Sequence, residues 1–324
     1  MSMFTHSRQA RAALVASVAA LSAVAACSSS SSPAPSSAPG SGTTAPASAA
    51  HFPVTVHAAN GNVTIAGKPT AIVSLSPTAT EMLYAIGAGA QVKAVDKDSD
   101  YPAGTPRTTL NAVVLNAEAV AKYQPDLVVA AGLAPAQAQQ LAKLNVKVLD
   151  EPAATDVSQS YEQLTQLGDA TGHPDGAAAV IATMKQKIAA IVTTASKRAA
   201  TYYYELDQTY YSVTSTTFVG RVLRMLGLTS IADAAKGAAA SGGYPQLSAE
   251  FILKANPDYV FLADTRCCKQ SLTTVGKRPG WSALSSVRGG RVISIDDSIA
   301  SRWGPRIVDL LSTVAAALQQ HPVT

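Results

Sequence analysis

A segment that occurs twice sets the strongest limit on what this chain can fold into. Residues 118–128 read Glu118-Ala-Val-Ala-Lys122-Tyr-Gln-Pro125-Asp126-Leu-Val128, and residues 250–260 read Glu250-Phe-Ile-Leu-Lys254-Ala-Asn-Pro257-Asp258-Tyr-Val260. Each copy has a glutamate, a short helical run, a Pro-Asp pair that stops the helix, and an apolar strand. A unit this short cannot bury its own apolar face. Its recurrence implies two lobes of related design, each with a helix that begins near an acidic residue.

What lies around the two copies agrees. Ala71–Leu75, Val92–Val95, Asp126–Ala130 and Val146–Leu149 are apolar runs of strand length. Between them stand helical patterns: one opening at Thr78–Glu81 with capping-box spacing and closing at Gly87 and Gly89, then Ala117–Tyr123, Ala134–Leu144 and Ser158–Thr171. This alternation predicts a parallel α/β lobe over residues 53–172. Pro174 then starts a stretch to about Ala199 with apolar residues Val180, Ile181, Met184, Ile188, Ile191 and Val192 at helical spacing. The spacing predicts one long rigid helix, residues 173–199, joining the first lobe to a second. The second lobe, residues 200–324, opens with a strand at Tyr202–Leu206 and a helix at Phe218–Leu226. The predicted fold is α/β, two lobes on one connecting helix with a ligand cleft between them.

The first 26 residues have the character of a lipoprotein signal peptide. Arg8 and Arg11 precede the small and apolar run Ala12–Ala26, which is too short to span a bilayer as a mature helix. Val24-Ala25-Ala26-Cys27 resembles a lipobox, which makes Cys27 the expected site of lipid attachment. Residues 28–50 contain only Ser, Pro, Ala, Gly and Thr. Such a stretch cannot bury enough surface to order itself, and with Cys27 it forms an expected linker over residues 27–52, roughly 25 Å long as a flexible coil. Of 25 basic and 21 acidic residues, two arginines leave with the signal. The near-balanced remainder gives no case for nucleic-acid binding. The expected location is the extracytoplasmic face of the cell membrane.

On these residues the chain resembles the solute-binding proteins that serve ABC importers of iron-siderophores, haem and vitamin B12. The resemblance is carried by Val73–Gly87, Asp100-Tyr101-Pro102, Ala117–Val129, Pro245–Glu250 and Gly304-Pro305-Arg306. It implies a monomeric receptor that delivers a chelated metal compound to a permease dimer with its ATPase subunits. It further implies that Glu118 and Glu250 face arginines on the two permease subunits. Helix-end stabilisation is the competing reading of both glutamates. Arg302 matches a cleft arginine of the family and suits an anionic ligand group, with a surface ion pair as the alternative. Trp303 follows it and reads first as structural, with a ligand contact in the cleft as the other candidate role. Asn111–Val114 stands where corrin-binding members carry a tryptophan, so that stacking platform is missing. Tyr101, Tyr210 and Tyr211 are further candidate ligand contacts, as are Ser76 and Thr80. Tyr202, Tyr203 and Tyr204 read as strand packing.

The five histidines are scattered at 6, 51, 57, 173 and 321, two of them ahead of the expected core, which fits neither a zinc nor a manganese site. No metal site and no cofactor is expected, and the ligand is expected to bring its metal already wrapped. No Gly-x-Ser-x-Gly, His-Glu-x-x-His or Walker sequence is present, so the chain is not expected to be an enzyme. A surface-tethered adhesive or binding lipoprotein, an enzyme on the same scaffold, and a direct ferric-iron binder remain as alternatives. Cys267 and Cys268 are adjacent in an exported chain, and a vicinal disulfide is expected between them, against two free thiols.

Overall fold

Two hydrogen-bonded carboxylates show how the repeat becomes structure. The computed structural model describes residues 51–195 and 199–323. The signal-like segment, Cys27 and the Ser/Pro/Ala linker up to residue 50 lie outside the described residues. Asp126 accepts from the Thr70 amide at 2.7 Å, the Thr70 hydroxyl at 2.8 Å and the Ala71 amide at 3.0 Å. Asp258 accepts from the Thr201 amide at 2.8 Å and the Thr201 hydroxyl at 2.9 Å. In each lobe the Pro-Asp aspartate therefore stitches the start of one strand to the start of its neighbour. Just before each Pro-Asp pair stands a left-handed residue, Gln124 at φ 47° and Asn256 at φ 45°, which turns the chain out of its helix.

The chain begins with an antiparallel hairpin, β1 (Val54–Ala58) and β2 (Gly61–Ile65). Val56, Val63 and Ile65 alternate inward and are buried. His57, expected ahead of the core, lies within β1, where its Nδ1 is 2.6 Å from Asn62 Oδ1. The first lobe follows as β3 (Ile72–Leu75), α1 (Pro77–Ala85), β4 (Val92–Val95), α2 (Ala117–Ala121), β5 (Leu127–Ala130), α3 (Pro135–Lys143), β6 (Val148–Asp150) and α4 (Val157–Thr171). Its sheet order is β4-β3-β5-β6, all parallel. Every residue of β3 and β5 is buried, which is why these strands read as unbroken apolar runs.

Helix α5 (Pro174–Thr194) connects the lobes. Its 21 residues give about 32 Å. It ends short of the expected Ala199 because Ala195 turns extended, and the Thr194 hydroxyl folds back on Ala190 O at 2.9 Å. The second lobe runs β7 (Ala200–Glu205), α6 (Phe218–Arg224), β8 (Leu228–Ser230), α7 (Ala249–Ala255), β9 (Tyr259–Leu262), α8 (Leu272–Gly276), α9 (Ser285–Arg288), β10 (Val292–Ser294), α10 (Asp297–Ala300) and α11 (Ile307–Gln320). Its sheet order, β8-β7-β9-β10, matches the first lobe strand for strand. The largest apolar core is continuous from the hairpin through α1, α4 and α5 to β7, β9 and α11, so both lobes share it with the connecting helix.

The start of α1 corrects one sequence reading. Its cap is the Ser76 hydroxyl, which accepts from the Ala79 amide at 3.2 Å, with Pro77 at the first helical position. Thr78 and Glu81 therefore form no capping box. Glu81 is left free to point elsewhere, and its destination defines the seam between the lobes.

Candidate functional site

In parallel α/β sheets, ligands bind beyond the carboxyl ends of the strands. Here the segments leaving β4, β9 and β10 meet at those ends. Arg302, beyond α10, places Nη1 2.5 Å from Glu81 Oε1 and Nη2 2.7 Å from Asp100 Oδ1, and donates to Asp98 O at 3.0 Å. Arg306 donates through Nε to Glu81 Oε2 at 2.9 Å and pairs a second time through Nη2 with Oε1. Its guanidinium lies 4.2 Å from the Tyr101 ring centroid. Arg266 reaches Asp100 at 3.3 Å. Partial burial opposes ionisation of Asp100, but Arg302 and Arg266 outweigh it and hold its carboxyl below the ordinary value. Burial likewise opposes the charge on Arg306, and Glu81 more than offsets it. The Trp303 carbonyl accepts from Ser160 Oγ at 2.5 Å, and its Nε1 donates to Gln163 Oε1 at 2.8 Å. The segment 302–306 of the second lobe is thus bolted onto the first.

This geometry sorts the candidate ligand contacts. Arg302 has only 9 % of its side chain exposed, and its guanidinium is taken up by Glu81, Asp98 and Asp100. Trp303 is a seam residue bonded to Gln163. Ser76 is buried as the cap of α1, and Thr80 is sealed between Ser74 Oγ at 2.8 Å and Ser99 Oγ at 2.9 Å. In this arrangement neither hydroxyl is offered to a ligand, contrary to expectation. Tyr210 stacks on Trp281 at 6.0 Å with Arg278 5.6 Å from its ring, so it belongs to the second lobe's packing. Tyr101 and Tyr211 keep their rings exposed, at 45 % and 40 %. Tyr202, Tyr203 and Tyr204 are fully buried, and burial pushes all three phenols up, away from the phenolate form that ferric iron needs. A recess of about 620 Å³ opens beside the seam, lined by Tyr84, Tyr101, Val180, Met184, Lys187 and Arg306.

Several groups in these loops escaped the sequence reading. Glu205, at the end of β7, receives both Nη atoms of Arg278 at 2.6 Å and the Tyr203 hydroxyl at 3.2 Å. Asp264 lies beside it with neither carboxylate oxygen hydrogen-bonded. Burial, then the charge of Glu205, pushes Asp264 up to about 7. In the first lobe Glu151 is buried and pushed up to about 8 by burial and by Asp150. Cys267 and Cys268 carry free thiols, and the expected ring between them is not formed. Asp297 accepts from the amides of Arg266 and Cys267, and Asp264 O from that of Cys268, which fixes this stretch in tight turns. Burial and hydrogen bonding to Cys268 and Asp297 push the Cys267 thiol up to about 12. Among the described residues no group of three His, Cys, Asp or Glu is placed to hold a metal ion, and no helix is long and apolar enough to cross a membrane.

Glu118 and Glu250 stand in the first turns of α2 and α7, and both are exposed. Asn116 caps α2 through the Ala119 amide at 2.9 Å, and Ser248 caps α7 through the Phe251 amide at 3.1 Å. The caps are therefore supplied without either glutamate.

Residues 72–299 match the model of the family described as periplasmic binding protein. The chain belongs to the periplasmic binding protein family. A relative within it, the ABC transporter substrate-binding lipoprotein YvrC of Bacillus subtilis, is 30 % identical over 82 % of this chain and 86 % of its own. The cobalamin-binding protein of Halobacterium salinarum is 28 % identical over 85 % of this chain and 76 % of its own. In fold, the periplasmic haem-binding protein HutB of Vibrio cholerae superposes with a TM-score of 0.69 at 19 % identity, over 77 % of this chain and 98 % of that one. Periplasmic binding proteins are solute receptors, and the two-lobed architecture expected from the repeat is the one the family shares.

Proposed function

We propose that this periplasmic binding protein is a lipid-anchored receptor that captures a chelated metal compound of the siderophore, haem or cobalamin class. It then hands that compound to an ABC permease dimer. The observation that carries the reading is the matched pair Glu118 and Glu250. They occupy the same position on equivalent helices of two lobes with the same strand order. Both are exposed and neither is needed as a cap. A two-fold symmetric permease calls for such a pair, and each glutamate docks against a cation on one subunit. A chelate suits exposed tyrosines such as Tyr101, beside the seam, and Tyr211, in the loop beyond β7 of the second lobe, which offer flat apolar contact with a polar edge. The relatives that bind cobalamin and haem support the ligand class. Cys27 carries the anchor, and the receptor acts as a monomer.

Native purification tests this reading. Protein extracted from its own membranes is expected to be monomeric by light scattering, to carry a diacylglyceryl mass on Cys27, and to release a metal chelate with a visible absorption band. Protein that binds no member of a panel of ferric siderophores, haem and cobalamin in the micromolar range would sink the ligand assignment.

A further inference from the structure

The repeat holds a second matched charge. Lys122 follows Glu118, and Lys254 follows Glu250, at the same spacing in both copies. Glutamate four residues before lysine is the favourable orientation for an ion pair along a helix. Neither pair closes. All four side chains are exposed, and among the described residues none has an ion-pair or hydrogen-bond partner. A lysine near a helix C-terminus also complements the macrodipole. That role explains each lysine alone, and it requires no match between lobes.

The topology orders these charges in space. α2 leads into β5 and α7 into β9, the corresponding strands of the two sheets. A helix that feeds the amino end of a strand starts toward that sheet's carboxyl edge. The carboxyl edges of both sheets face the seam, as the bonds from Arg302 to Glu81 and Asp100 show. Each glutamate therefore lies on the cleft side of its helix, and each lysine lies about 6 Å farther out. On this topology each lobe runs from lysine to glutamate toward its sheet's carboxyl edge, Lys122 then Glu118 in the first and Lys254 then Glu250 in the second.

We infer that Lys122 and Lys254 form the outer half of a four-charge docking strip. The strip fits a two-fold symmetric permease homodimer whose subunits each present a cation near the axis and a carboxylate farther from it. The inference rests on the docking reading of Glu118 and Glu250. The charge pattern is mirrored about the cleft, and only a partner with the same mirrored pattern makes use of it. Alternating sign adds what two glutamates cannot. A dock that slides along the strip by one helical turn brings like charges together, so the lysines fix register as well as attract.

The test is the association rate of the full-length lipidated chain, without ligand, on its cognate permease in nanodiscs at low and high salt. Four proteins are compared: wild type, Glu118→Gln with Glu250→Gln, Lys122→Gln with Lys254→Gln, and Lys122→Glu with Lys254→Glu. Thermal melts serve to confirm equal folding. The charge reversal is expected to slow association about tenfold at low salt, and the neutral lysine variant about threefold, with both effects shrinking at high salt. Charge reversal that leaves the rate unchanged, or raises it, while the glutamate variant is slowed overturns the inference and leaves the docking reading standing. A glutamate variant that associates at the wild-type rate overturns both.

Discussion

The two lobes share a skeleton and part ways in how each accommodates a buried acid. At the amino ends of their sheets they are alike, with the same strand order, an aspartate clamp at Asp126 or Asp258 and a left-handed residue before it. At the carboxyl ends they differ. In the second lobe Glu205 is neutralised from within by Arg278. In the first, Glu81 is neutralised from outside, by Arg302 and Arg306 of the other lobe. The conserved part of the design is the part that sets strands in register. The carboxyl edges differ between the lobes, and the first depends on the second for the counter-charge of its buried acid.

The largest test of this contrast removes the external arginines. Arg302→Ala with Arg306→Ala strands Glu81 in a buried site, and is expected to cost about 3–5 kcal/mol. It should also loosen the segment 302–306, so that amides there exchange faster while the shared core still unfolds in one transition. Arg278→Ala should cost a comparable amount while leaving exchange at 302–306 unchanged. Calorimetry and hydrogen exchange of the two variants side by side check both outcomes, and equal exchange at 302–306 in both would erase the distinction between the lobes.

Next in size is the response to pH. A carboxyl whose folded pKa lies above its unfolded value binds more protons in the native state, so stability falls as pH rises between the two values. For Glu151 that window runs from 4.5 to about 8, and for Asp264 from 3.8 to about 7. Urea unfolding is expected to show a protein more stable at pH 5 than at pH 9, by on the order of 2–4 kcal/mol. Glu151→Gln should flatten the alkaline part of the profile and Asp264→Asn the part below neutrality. A slope unchanged by both substitutions would place the effect elsewhere.

The clamps give a smaller and more symmetrical effect. Asp126→Ala and Asp258→Ala each strip hydrogen bonds from the same strand start, at about 1–3 kcal/mol. Asp126 is the more exposed of the two, so water replaces more of its bonds and its loss should fall at the lower end. Chemical denaturation ranks the two, and a costlier Asp126 would break the equivalence of the repeats. Smallest is the left-handed position. Gln124→Gly relieves a side chain held at positive φ and should stabilise by about 0.5–1 kcal/mol. Asn256→Gly should change stability by less, since asparagine tolerates that region.

Much of the skeleton was legible because it is local. The apolar runs at Ile72–Leu75 and Leu127–Ala130, the Pro174 helix start and the duplicated Pro-Asp unit all announce themselves over a few residues. The β1–β2 hairpin escaped notice, although Val54–Ala58 and Gly61–Ile65 hold the alternating pattern of half-buried strands. The seam was out of reach for another reason. Glu81 looked like part of a cap because the residues near it suit one, while its partners lie more than two hundred positions away. The family resemblance points to Arg302, but nothing in the neighbouring sequence tells whether its guanidinium meets a ligand or Asp100. The four-residue spacing of Arg302 and Arg306 was the available hint that the two arginines converge on one carboxylate.

The dependence of Glu81 on residues 302 and 306 also sets an order of events. A chain that crosses a membrane unfolded emerges amino end first, so β3 and α1 arrive outside long before their arginines. Until the last two dozen or so residues follow, the first lobe has an acid that it cannot bury without a counter-charge, and α5 lacks the face of α11 that packs against it. In any chain that emerges amino end first, completion of the fold therefore waits for residues 302–320, and a chain cut short before Arg302 should remain loose and open to proteases at both ends. The carboxyl-terminal helix acts as the closing stitch of the whole molecule.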